Sequence, residues 1–265
     1  MTDHEWSRSR YWLCHYLYNR HVRPPIPWSD DLACPLTRHP AVTYWLSRLA
    51  AAQAATAPWL INQAMARWSG DPAYIQSLRL LIREQRYHGQ LLDELLRRAG
   101  QQRSPADPTQ DLFLKAGRTL GVRYTLSAML LSDLIDVAML ELFERTTADE
   151  AVRAVCQAII REKRRHITFH TERLTMEFAD FNFARRNLRR LRLRMMYAAK
   201  LARLLYHDHA CIGAMGASPA RFVRDCWRRM MGVIEEMVPY RRDALMAALL
   251  TQDSDPYHEV NDVFR

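Results

Sequence analysis

The sequence predicts an all-α protein, and three observations lead to it. Only 8 Gly and 12 Pro interrupt 265 residues otherwise rich in Ala, Leu, Arg and Glu, the side chains that lose least on entering a helix. The breaks are clustered, at Pro24 and Pro25, Pro35, Pro40, Gly70 to Pro72, Gly100 to Pro108 and Thr146 to Asp149, and the runs between them are too long for strands. The segment LLIREQRYHGQLLDELL is echoed by AIIREKRRHITFHTERL, with residues 85 and 163 in register 78 positions apart. An internal repeat implies a repeated structural role.

Taken in order, residues 1–40 read as a short N-terminal helix and a proline-rich segment. Four long helices are expected at about 41–68, 72–99, 109–146 and 149–178, and some three C-terminal helices within 179–265. Thr147, with Glu150 three residues on, reads as a capping box for the fourth. Each copy of the echo follows another long helix, which makes two helix pairs and hence a four-helix bundle over 41–178. With no linker-like stretch, 265 residues and 31.1 kDa form one domain around one core.

The N-terminal MTDHEWSRSRYWLCHYLYNRH lacks the uninterrupted apolar core of a signal peptide, and no later stretch holds 18 consecutive apolar residues. A cytoplasmic protein without a membrane partner is therefore expected. Cys14, Cys34, Cys156, Cys211 and Cys226 are odd in number and lack CxxC spacing, which fits free thiols. Net charge is +9, and among 38 basic residues only Lys115, Lys163 and Lys200 are lysine. Arg185, Arg186, Arg189, Arg190, Arg192 and Arg194 crowd the segment 183–205, either as a solvated helix face or as a docking surface for an anionic substrate or an acyl carrier protein. No nucleic-acid-binding motif accompanies this charge, so nucleic acid is not an expected partner.

At about 3.6 residues per turn, Leu78, Ile82, Gln85, His88, Leu92 and Leu95 share one stripe, and Cys156, Ile159, Lys163, His166, His170 and Leu174 share another. Polar side chains on apolar stripes face the core and demand partners, because an unsatisfied buried polar group costs about 1–3 kcal/mol. The two segments resemble the paired Glu-x-x-His helices of the ferritin-like carboxylate di-iron superfamily, which includes rubrerythrins and the ribonucleotide reductase small subunit. That resemblance covers about residues 41–178 and implies a ferritin-like four-helix bundle with additional N-terminal and C-terminal helices. It places His88 and His166 as the ligand histidines, and Glu84 and Glu162 as acids that hydrogen-bond the opposite histidine.

Where the family has metal-binding glutamates, this chain has Gln85 and Lys163. Gln53, 32 positions before Gln85, and Asp133, 30 positions before Lys163, stand at the lone-glutamate positions of the preceding helices. One anionic side chain at positions where the family supplies about four under-neutralises two irons. An ammonium at Lys163 would compete with a cation and could pair with Asp133, Glu84 or Glu162. Some metal-free members of the ribonucleotide reductase group carry comparable Gln and Lys replacements.

The resulting expectation is an enzyme of small-molecule metabolism with no cofactor, centred on Lys163, His88, His166, Asp133, Gln85 and Gln53, supported by Glu84, Glu162, Asp136 and His170. Burial would lower the pKa of Lys163 and free an amine to act as base or imine former, with the histidines moving protons. Two alternatives stay open. The i, i+4 pairs Glu84/His88 and Glu162/His166, with Asp133, could hold two Fe or a single metal for an oxidase or oxygenase, and the scaffold could be a non-catalytic binding protein. A homodimer is expected because ferritin-like bundles often pair through their long helices. Tyr87, Tyr124 and Trp59 read as packing, and the Tyr206 to His209 cluster as a polar helix end before Gly213.

Overall fold

The structure is a computed structural model, and it describes residues 3–28, 34–54, 58–102 and 116–238. Within these residues the chain is all-helical: α1 (Asp3–Asn19), α2 (Pro35–Arg38), α3 (Pro40–Ala54), α4 (Pro58–Arg67), α5 (Pro72–Arg98), α6 (Val122–Thr146), α7 (Glu150–Phe178), α8 (Phe183–Ala214) and α9 (Pro219–Met237). No described helix is long and apolar enough to cross a membrane.

The two echo helices, α5 and α7, form where their periodicity places them. Asp71 caps α5 by accepting from the Tyr74 amide at 3.0 Å, with Pro72 at the first position where its missing N–H costs nothing. For α7 the expected Thr147/Glu150 box is not used: Asp149 caps the helix, accepting from the Val152 amide at 3.0 Å. Thr147 instead closes α6, and its hydroxyl meets the Cys34 thiol at 3.3 Å.

The other two expected helices are divided. In place of one helix over 41–68 there are α3 and α4, the second starting at Pro58, whose fixed φ suits a first turn and breaks an interior. In place of a helix from 109, a helical turn over 116–120 ends at Gly121, whose φ of 86° is open to glycine at little cost, and α6 starts after it. The expected start at 109 and the end of the C-terminal segment lie outside the described residues. Nor does α8 stop before Gly213. It runs on to Ala214, and Gly216 at φ 74° turns the chain.

Two helix pairs dominate the packing, α3 with α5 and α6 with α7, and α5 also meets α7. Trp45 of α3 stacks edge-on against Phe143 of α6, and Gln53 reaches Asp136, so α3 and α6 run antiparallel. Two outer helices cover opposite seams. On one side α1 lies against α5 and reaches α7, where Glu172 takes hydrogen bonds from the Trp12 indole (2.6 Å) and from Arg8. On the other side α8 lies across α3 and α6. Leu46, Leu78, Leu126, Leu130, Val137, Leu140, Val155 and Ile159 fill the core between the pairs.

Gly89 sets how closely α3 and α5 approach, because a Cβ built there would stand 3.1 Å from the Ala50 carbonyl oxygen and 3.2 Å from the Ala54 amide nitrogen. Gly89→Leu is expected to lower the unfolding free energy by about 1–3 kcal/mol through overpacking, read as a shift of the urea midpoint. An unchanged midpoint would mean that the pair is looser than described.

Candidate functional site

Glu84, His88, Asp133, Glu162, Lys163, His166 and His170 are all buried, where ions cost several kcal/mol apiece unless paired. Each histidine meets the glutamate of the other echo helix. His88 Nε2 lies 2.8 Å from Glu162 and His166 Nε2 2.9 Å from Glu84, and the two rings are 5.7 Å apart. A carboxylate only accepts, so each imidazole donates through Nε2, and the buried Nδ1 atoms have no partner among the described residues. Burial pushes the His88 pKa down against the pull of Glu162, which favours the neutral ring.

The outer oxygens of both glutamates are satisfied from the N-terminal end, a contribution that the echo alone could not reveal. Asn19 donates to Glu84 at 2.6 Å, and Arg23 donates to Glu162 at 2.9 Å while standing 3.5 Å from Glu84 and 4.0 Å above the Tyr87 ring. Burial pushes the Glu162 carboxyl up, but the hydrogen bonds from His88 and Arg23 and the guanidinium charge outweigh it and bring the pKa to about 2.

Lys163 crosses from α7 to α6, its Nζ donating to Asp133 at 2.5 Å and to Asp136 at 2.9 Å. Gln53 donates to the same Asp136 oxygen at 3.2 Å. The expected free amine is therefore not what forms. Burial alone would lower the lysine pKa, but the two carboxylates more than offset it and hold the ammonium above its ordinary value. Asp133 is lowered in return, its desolvation outweighed by Lys163, whereas desolvation wins at Asp136 and raises it.

Neither ring nitrogen of His170 has a partner among the described residues, and the ring packs against Phe169. Burial pushes its pKa down to about 4.

A cavity of about 280 Å³ opens on the α8 side. Gln53, Gln85, Asp133 and Asp136 line it, whereas Lys163, His88 and His166 do not. The sequence-predicted set thus divides into a sealed half on α5 and α7 and a half on α3, α5 and α6 that faces the cavity. Trp59 and Tyr124, expected to be packing, also line it, as do Arg48, Lys200, Arg203 and Asp208. Arg48 pairs with Asp208 at 3.0 Å. Lys200 donates to Ser132 at 2.7 Å, and burial takes its pKa to about 8 against the raising effect of Asp136. The signal for Lys200 was present in the sequence, as one of three lysines and the only one among the arginines of its segment.

That segment is not one solvated face. Arg186 donates to the Ala179 carbonyl, Arg190 to the Val238 carbonyl and Arg189 to Ser127, so three of the six arginines bind protein groups rather than presenting a docking surface.

The residues at the centre do not fit a pair of irons. The Glu84 and Glu162 carboxylates already take up imidazole, amide and guanidinium donors, and Lys163 neutralises Asp133. Among the described residues no three His, Cys, Asp or Glu side chains come together as a metal-binding group, including the set Glu84, His88, Asp133, Glu162 and His166. Compared with protein-family models, with curated proteins and with solved structures, the chain matches none.

Two measurements follow from this geometry. Lys163→Met leaves two buried carboxylates without their cation and is expected to cost about 3–5 kcal/mol of unfolding free energy. A loss below about 1 kcal/mol would contradict the pairing. For His170 the folded pKa lies below the ordinary 6.5, so its neutral ring contributes fully above pH 6.5 and that stability drains away as the pH falls toward 4. At about 1.4 kcal/mol per unit the loss is about 3 kcal/mol. His170→Leu is expected to flatten urea midpoints measured between pH 7 and 4, and an unaltered slope would assign the acid sensitivity elsewhere.

Proposed function

We propose that the chain is a ferritin-like enzyme of small-molecule metabolism whose metal site has been replaced by an ammonium, Lys163, and whose substrate occupies the adjoining cavity. The observation that carries this is the Lys163 Nζ held 2.5 Å from Asp133 and 2.9 Å from Asp136, with both aspartates exposed to that cavity. A fixed positive charge does electrostatically what a cation would do for these carboxylates, without open coordination positions. The crossed His88/Glu162 and His166/Glu84 pairs support the ferritin-like reading, since they relate α5 and α7 by a pseudo-twofold arrangement.

Their chemistry differs from a proton-transfer pair acting on substrate. Both rings lie away from the cavity, so they fix the spacing of α5 and α7, and the groups able to touch a substrate include Asp133, Asp136, Gln53, Gln85 and Lys200. Carboxylates and an amine facing one apolar-walled cavity suit acid–base chemistry such as isomerisation, elimination or cyclisation.

Metal analysis of protein expressed in iron- and manganese-supplemented medium tests the reading. Substoichiometric metal is expected, together with full activity after chelator dialysis once a substrate is found. Near two equivalents per chain would contradict it. The double variant Gln85→Glu, Lys163→Glu is expected to gain metal affinity. Ligands that raise the melting temperature but are never converted would favour a binding protein.

A further inference from the structure

We infer, resting on the small-molecule reading above, that Lys200 is the nucleophilic amine of the cavity and forms an imine with the carbonyl group of an apolar-bodied aldehyde or ketone. Lys200 reaches from α8 to the α6 wall that carries Asp133 and Asp136, its Nζ donating to the Ser132 hydroxyl at 2.7 Å. Trp45, Trp59, Leu60, Ile82, Tyr124 and Met129 supply apolar walls that match a hydrocarbon or aromatic body. Burial brings the amine to a pKa of about 8, which populates the lone pair near neutral pH, whereas Lys163 stays an ammonium between its two carboxylates.

The Lys200 lone pair forms a C–N bond to the carbonyl carbon while the C=O π electrons move to oxygen. One amine proton passes to that oxygen, a second proton comes from solvent, and the C–O bond breaks to release water and leave a protonated imine. No oxidant or reductant is consumed. The iminium draws electrons from the neighbouring carbon, and the Asp136 carboxylate on the same cavity is placed to accept the proton that this carbon loses.

The chain contains three lysines, which makes the test direct. The full chain is incubated with phenylacetaldehyde and sodium cyanoborohydride, which reduces an imine to a stable secondary amine, and is analysed by intact mass and peptide mapping. One adduct on Lys200 is expected, and it is lost in Lys200→Arg, which keeps the charge but cannot form an imine. Labelling of Lys115, Lys163 or the N-terminus with Lys200 unmodified, absence of any adduct, or equal labelling of folded Lys200→Arg overturns the inference. Should the arginine variant fail to fold, the mapped position in the unaltered chain decides alone. Metal content measured on the same sample separates the two failures: two irons with a Lys200 adduct defeat only the metal-free reading, and a metal-free chain without the adduct defeats only this inference.

Discussion

An ammonium with no solvent exposure is among the costliest groups to place in a core, and the Lys163 position is tolerable because two carboxylates from a neighbouring helix are already there. The dependence runs both ways. Asp133 and Asp136 sit three residues apart on α6, and without the lysine they would repel each other across a desolvated gap. The contact therefore ties α7 to α6 at mid-bundle, sets which oxygens remain for Gln53, and fixes the polar floor of the cavity. It also leaves the two histidines to be held by glutamates alone.

Those glutamates connect the centre to the periphery. Glu84 and Glu162 each accept from the opposite helix's imidazole and then from Asn19 or Arg23, so that the end of α1 and the stretch after it close the α5–α7 seam. On the far side α8 closes the α3–α6 seam less completely, and the cavity is the space that remains. The two sides thus differ in kind: one is sealed by ion pairs, and the other is walled by aromatic and aliphatic side chains with a few charged groups.

Much of the helical skeleton was legible. The stripes through Gln85 and His88 and through Lys163 and His166 placed α5 and α7 because their apolar residues recur at strict helical spacing. The α3/α4 division was less legible, since Pro58 falls inside an otherwise continuous apolar pattern. The sign of the Lys163 shift is not legible in the sequence. Burial and counter-charge act in opposite directions, and the outcome turns on whether one or two carboxylates reach the amine. The i, i+3 relation of Asp133 and Asp136 was the available clue that both share a helix face. Arg23 and Asn19 had no such clue, because nothing in a local pattern says where an N-terminal helix will lie. Lys200 was masked by its arginine-rich setting, half of which turns inward.

Nitrogen-15 NMR of the lysine side chains through a pH titration tests most directly whether Lys163 is a permanent ammonium. With three lysines in the chain, single substitutions assign every Nζ signal. The Lys163 signal is expected to keep its ammonium shift beyond pH 10.5 while the Lys200 signal titrates near pH 8. A Lys163 signal that moves to the neutral amine position well below pH 10.5 would contradict it.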